Sequence, residues 1–215
     1  MLKLYFSPGA CSMASHIGLE ELGVPYDKEP TLLAKGEQKT QAYLQVNPRG
    51  TVPALEVDGQ VLTENTAILT YLASRYPEKN LLPKDLLAQA RCISTMAWFS
   101  NTVHPSYRQT MRPERFAEAE AAHAAVKETG KKTFFECCKE IDSMLHGKQW
   151  IMGDQFTVVD GYALVFYGWG MRGKLPMEDL KNYTTWKNRM LQRPAVHRVL
   201  QEEQNVLLTL SSFRL

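Results

Sequence analysis

Near Leu86 the texture of the chain changes, and this limits the possible folds more than any other feature. Before that point, strand-like and helix-like stretches alternate. Residues 2–6, LKLYF, form a strand pattern, and Ser7-Pro8-Gly9-Ala10 turns into a helical one with Ile17, Leu19 and Leu22 as apolar positions and Gly23 as its stop. Tyr26 begins a second, weak strand. VPALEV and QVLT are joined by Asp58-Gly59, a dipeptide suited to the positive φ angles of a two-residue hairpin turn. Thr66 to Tyr76 carries Ile68, Leu69 and Leu72 at helical spacing and stops at Pro77. The order β-α-β-α-β-β-α predicts a small mixed sheet flanked by helices, an α/β domain over residues 1–80. Past the PEKNLLPKD stretch, with 81–86 as the linker, Ala, Leu, Glu, Gln and Lys recur at helical period. Residues 87–215 therefore read as an all-helical domain. Within it, Thr157 followed three residues later by Asp160 marks a capping-box helix start.

At 215 residues and 44% apolar, the chain is long enough and apolar enough to bury a substantial core. Its 25 basic and 23 acidic residues are dispersed, with no basic run to follow a phosphate backbone, so nucleic acid is not an expected partner. No window approaches the roughly 18 apolar residues of a membrane span, and Met1 to Phe6 already read as strand rather than as a signal peptide. The expected location is the cytoplasm, with no membrane association. Cys11, Cys92, Cys137 and Cys138 lack the spacing of a disulfide framework, and none has a Cys or His at metal-site spacing. A reduced compartment and no structural metal are expected. The neighbours Cys137 and Cys138 point about 100° apart on a helix, so they and Cys92 are read as packing residues.

Three places carry possible chemistry. Cys11 follows a strand and a Pro-Gly turn at the start of a helix, where free N–H groups and the positive dipole end favour a thiolate. Cysteine is equally a small hydrophobe that fills cores, and the residues alone leave both readings open. Val52-Pro53 opens a strand after Gly50-Thr51. A cis bond there would present the Val52 backbone outward to pair with a peptide-like ligand, whereas a trans proline is the ordinary strand start. Glu64-Asn65 precedes a helix, so the free amides there can hold a carboxylate and Glu64 an ammonium, or the pair is simply a surface helix start.

Together, SPGACSMASHI, NPRGTVPAL and LTENTAILTYLASRYP, followed by a helical half bearing FTVVDGYAL, resemble the cytosolic glutathione S-transferases. The SPGACS element resembles their bacterial beta class. The resemblance covers essentially the whole chain. It implies a thioredoxin-like α/β N-terminal domain, an all-α C-terminal domain, a homodimer, and glutathione as co-substrate in the cleft between domains, with no other cofactor. By resemblance Pro53 is cis, Thr51 and Val52 belong to the glutathione site, and Val52 pairs with the cysteinyl backbone. Glu64 and Asn65 take the γ-glutamyl ammonium and carboxylate, and Lys35 meets the glycine carboxylate, with Lys39 as the alternative. Cys11 lies against the glutathione sulfur. His104, in SNTVHPSYRQTMRP, matches the histidine contributed by the helical domain, and Ser100 or Asn101 is its polar partner. Pro105, directly after it, departs from the class and is expected to end or kink the helix.

The implied reaction is attack of the glutathione thiolate on a small hydrophobic electrophile. The helix start behind Cys11, and His104 if it donates, would lower the thiol pKa. Met96, Phe99, Tyr107, Met111, Tyr167 and Trp169 are candidate pocket walls, and Tyr5, Ser7 and Ser12 are substitute hydroxyl donors. Cys11 could also exchange with disulfides by a monothiol route, since no Cys-x-x-Cys is present. A reading from another class is a non-catalytic protein of the same fold that binds glutathione or apolar ligands.

Overall fold

The structure, a computed structural model, describes residues 1–209, so the last six residues assigned to the helical domain, 210–215, lie outside the described residues. Four strands, β1 (Leu2–Phe6), β2 (Asp27–Pro30), β3 (Ala54–Val57) and β4 (Gln60–Thr63), form one sheet in the order β2-β1-β3-β4. β1 pairs parallel with β2 and antiparallel with β3, and β3 pairs antiparallel with β4. Alternation along β1 divides its side chains between two faces. Leu2, Leu4 and Phe6 enter the main core, whereas Tyr5 joins Tyr43, Val52 and Ala54 in a separate cluster on the other face. The β3–β4 hairpin turns through Asp58 and Gly59, at φ 49° and 83°, as that dipeptide predicts. β2 is the weak strand: its DKEP is exposed throughout, and charge on such an edge discourages pairing with other chains.

Helix α1 (Met13–Leu22) ends at Gly23, whose φ of 66° is the left-handed stop expected of that glycine. The short α2 (Gln41–Val46) covers the Tyr5 face, and α3 (Asn65–Arg75) packs beside α1 against the main core. The helical part then follows as α4 (Leu86–Trp98), α5 (His104–Met111), α6 (His123–Met144), α7 (Val158–Arg172), α8 (Lys181–Leu191), α9 (Pro194–Glu202) and α10 (Val206–Thr209). Helix α7 is buried almost all round from Val158 to Gly170 and lies directly against α1, where a Cβ on Gly161 would sit 3.1 Å from Ile17. One continuous core thus runs from the sheet through α1 into the helical part. Among the described residues no helix is long and apolar enough to cross a membrane.

Pro105 does not end its helix. The chain widens into a π segment at Phe99–Val103, in which the His104 N–H reaches back to Phe99 O, and the proline then falls in the first turn of α5. A first-turn proline loses no intrahelical bond, and the extra residue of the π turn absorbs the crowding that would otherwise kink the helix. Cys92, Cys137 and Cys138 are buried and free.

Candidate functional site

The thiol of Cys11 sits in the turn between β1 and α1, immediately before the Ser12 cap. That turn is held from both ends of the chain. Ser12 Oγ accepts from Ser7 N at 3.0 Å and donates to Ser7 O at 3.2 Å. Across the molecule, Gly9 N donates to Glu203 Oε2 at 2.8 Å, and Trp169 Nε1 and Arg172 Nη1 donate to Gly9 O at 3.0 and 3.4 Å. The other oxygen of Glu203 meets the buried His16 ring at 2.9 Å. The cysteine loop is therefore positioned by α7 and by the end of α9, elements more than 150 residues away.

Cys11 Sγ donates to Val52 O at 3.4 Å, and the Val52-Pro53 peptide bond is cis. Val52 N–H finds no partner among the described residues. Thr51 contributes its carbonyl to structure, accepting from Tyr43 Oη at 2.7 Å and Asn47 Nδ2 at 2.8 Å, which fixes the loop that presents Val52.

The start of α3 divides its polar groups between structure and surface. Asn65 is buried, and its side chain turns inward: Nδ2 donates to Cys11 O at 2.9 Å and Oδ1 accepts from Ser15 Oγ at 2.7 Å. The amide side chain is thus a strut under the cysteine rather than a contact facing the cleft. What stays open is the backbone. The first bond of α3 is Ile68 N to Glu64 O, so the N–H groups of Asn65, Thr66 and Ala67 have no intrahelical acceptor. Glu64, exposed beside them, holds φ 72°, a left-handed backbone that is costly for a non-glycine residue, and its carboxylate meets Arg49 at 3.5 Å.

Lys35 stands exposed at the end of a short 3-10 turn, while Lys39 reaches the Asn47–Val52 loop, donating to Arg49 O at 3.5 Å. Lys39, the alternative, is therefore the lysine the fold brings to this loop. Asn101 is exposed in the π segment, and Ser100 Oγ is spent on Ala97 O at 3.0 Å, so neither hydroxyl nor amide there pairs with His104. The partner of His104 is Arg108, one turn on, whose Nη2 lies 3.3 Å from His104 Nε2. Arginine only donates, so Nε2 accepts and the imidazole is neutral with its proton on Nδ1. Burial and the Arg108 charge both push its pKa down, to about 3. The ring packs edge-on against Trp169, which stacks in turn on Tyr107 at 4.4 Å.

Burial pushes the Cys11 thiol up to about 11, against the pull of the Arg108 charge and of nearby backbone amides. This reverses the expectation that the helix start lowers it: desolvation of a thiolate at this half-buried position outweighs the dipole. Of the other hydroxyls, Tyr5 Oη turns to Glu56 and Ser7 Oγ accepts from Leu33 N, so with Ser12 spent on Ser7 none points at the thiol. Among the candidate walls, Trp169 meets His104, with Tyr107 stacked on Trp169, and both are buried. Tyr167 packs on Tyr183 and bonds Thr184, Met96 is wholly buried in the core, and Met111 is exposed. Arg108, Arg172 and Glu203 escaped the sequence reading, although Arg108 stands at helical i+4 spacing from His104.

A thioredoxin-like sheet domain, a cis-proline loop beside a cysteine, and a helical half that reaches over the same turn define a two-part fold of sheet domain and helical domain. Residues 9–75 match the glutathione S-transferase N-terminal domain and residues 95–194 the corresponding C-terminal domain. The chain is 32% identical over 205 residues to the glutathione S-transferase GstA of Escherichia coli O157:H7, covering 94% of this chain and 98% of that one. A glutathione transferase homolog from sulfitobacter with bound glutathione superposes with a TM-score of 0.89 at 30% identity, covering 94% and 98% of the two chains. The bacterial beta class glutathione S-transferase of Sphingomonas chungbukensis gives 0.83 at 33% identity, over 94% and 98%. The chain belongs to the glutathione S-transferase family and is an enzyme of that family.

Proposed function

We propose that the protein conjugates the thiolate of glutathione to small hydrophobic electrophiles, using residues 1–80 to hold glutathione, 81–86 as a linker and 87–215 to form the electrophile pocket. The observation that carries this is the meeting of Cys11 with Val52 O beside the open α3 amides, linked through Asn65. In this reading the γ-glutamyl carboxylate sits on the amides of Asn65 and Thr66, its ammonium on Glu64, and the glycine carboxylate near Lys39, with Lys35 further out. The cysteinyl backbone pairs with Val52, so its N–H replaces the Cys11 thiol on the Val52 carbonyl. The freed S–H of Cys11 then donates to the glutathione sulfur and, with the Arg108 charge and the neutral His104, stabilises the developing thiolate.

A protonated Cys11 is a better donor than nucleophile, which makes thiol–disulfide exchange through Cys11 the slower accompaniment. Cys11→Ala should abolish exchange and leave part of the conjugation; full exchange activity in that variant would remove the cysteine from this role. Cytoplasmic detoxification as a homodimer completes the proposal. The four free thiols suit a reducing compartment, and Leu86 and Leu87, exposed at the start of α4, are apolar surface that a second copy would cover. The test is retention on immobilised glutathione together with turnover of 1-chloro-2,4-dinitrobenzene. Retention with no turnover of any electrophile or disulfide would identify a carrier instead.

A further inference from the structure

Two guanidinium groups from the helical part converge on the cysteine loop. Arg108, half-buried on α5, lies beside His104 at 3.3 Å and acts on Cys11 and Tyr162; Arg172, at the end of α7 and exposed at the rim, touches Gly9 O at 3.4 Å. Among the described residues neither has a carboxylate within ion-pair distance, as is also true of Arg75, Arg91, Arg115 and Arg189, although the Glu64 charge acts on the same Cys11 and Tyr162 that feel Arg108. Arg108 lies against His104 and the Arg172 charge acts on Tyr107, and these two rings meet Trp169 in edge and face contact. Tyr107 Oη is buried with no hydrogen bond within 3.5 Å among the described residues, and the Arg172 guanidinium lies close enough for its charge and a longer hydrogen bond to act on it.

Both carboxylates of glutathione find receptors elsewhere, on the α3 amides and the lysines of the 33–39 turns. The arginines come from the opposite wall. The half-buried His104 ring, backed by the buried Trp169 and Tyr107 and neighboured by two cations without a carboxylate partner, matches an aromatic ring bearing an anion, because a guanidinium pairs with a carboxylate through two parallel hydrogen bonds. Resting on the transferase reading above, the geometry points to an aromatic electrophile that carries a carboxylate, held by Arg108 and, at the rim, by Arg172. With an aryl chloride, the glutathione sulfur forms the C–S bond, the C–Cl bond breaks with its electron pair leaving as chloride, and the thiol proton passes to solvent.

The test compares 4-chloro-3,5-dinitrobenzoate with its neutral amide, 4-chloro-3,5-dinitrobenzamide, each kcat/KM divided by the uncatalysed rate with glutathione. The benzoate should be preferred by about tenfold, mainly through KM, as expected for a charge-assisted contact. Arg108→Met should erase most of that preference, Arg108→Lys should keep part of it, and Arg172→Met should reduce it about threefold, since its site is exposed. Equal use of the two compounds by the wild type overturns the proposal. So does an Arg108→Met variant that slows both equally, which would mark Arg108 as acting on thiol ionisation alone. If neither compound is turned over, the transferase reading fails. Calorimetric binding then decides the anion site separately: preference for the benzoate keeps it, and equal binding removes it.

Discussion

Helices α3 and α7 both begin with buried polar residues, and the two starts are finished in opposite ways. At α7 the sequence closes its own helix. Asp160 accepts from Thr157 N at 2.9 Å and from Ile151 N and Trp186 Nε1 at 3.0 and 2.9 Å, so the carboxylate is consumed by the fold even though burial raises its pKa to about 6. At α3 the residue that should cap, Asn65, turns away to brace Cys11 and Ser15, and the preceding Glu64 is held at φ 72° with its side chain in solvent. Among the described residues the helix amides there are left without a protein acceptor. A start that satisfies itself stabilises the fold, whereas one left open at the cost of backbone strain offers the free amides that the proposed glutathione site requires.

Substitutions at the two starts should therefore behave differently. The largest effect is expected from Asp160→Ala, which strands four buried donors, the Thr157 hydroxyl among them, and breaks the capping box; chemical denaturation should show a loss of about 4 kcal/mol, with glutathione affinity of the folded protein unchanged. Asn65→Ala should cost about 2 kcal/mol by the same measurement, since two buried hydrogen bonds are lost. It should also disturb thiol reactivity, because the strut beneath Cys11 is gone. Glu64→Gly should go the other way in stability, gaining about 1 kcal/mol from relief of the positive φ, while its KM for glutathione rises about tenfold. That opposition of sign is the sharpest contrast with Asp160. If Glu64→Gly loses stability, the strain argument is wrong.

A smaller effect than that at Asp160 concerns pH. His104 has a folded pKa of about 3, below its unfolded value, so the unfolded chain binds the extra proton between those limits and stability falls as the solution is acidified through that window. At pH 5 the loss from this group should be about 2 kcal/mol relative to pH 7.5, seen as a steeper acid branch in the wild type than in His104→Asn. Cys11 gives the last prediction: with its thiol at about 11, only about a thousandth or less should be thiolate at pH 7.5. Alkylation by iodoacetamide in the absence of glutathione should be slow and should still be accelerating above pH 9. A plateau below pH 8 would restore the low-pKa cysteine expected from the sequence.

Much of the fold was legible because its signals are local. Asp58-Gly59 dictates a hairpin, Gly23 a helix stop, and Thr157 with Asp160 a helix start, each through the conformational needs of one or two residues. The π segment was not legible, since a proline that appears to break a helix is accommodated by a change of winding five residues long. At the site, local motifs located Cys11, Val52-Pro53 and the α3 start. They could not reveal which groups are desolvated or which arrive from afar. The thiol pKa reversed because burial is a tertiary property, and Glu203, Trp169 and Arg172 reach Gly9 across more than 150 residues of chain.

The most direct measurement is a crystal structure with glutathione soaked in at saturating concentration. The γ-glutamyl carboxylate should rest on the Asn65 and Thr66 amides, the cysteinyl N–H should replace Cys11 on Val52 O, and the sulfur should lie against Cys11 Sγ. Glutathione bound elsewhere, as in the cleft lined by Tyr5 and Tyr43 on the opposite face of the sheet, or Cys11 still bonded to Val52 O with the ligand present, would contradict it.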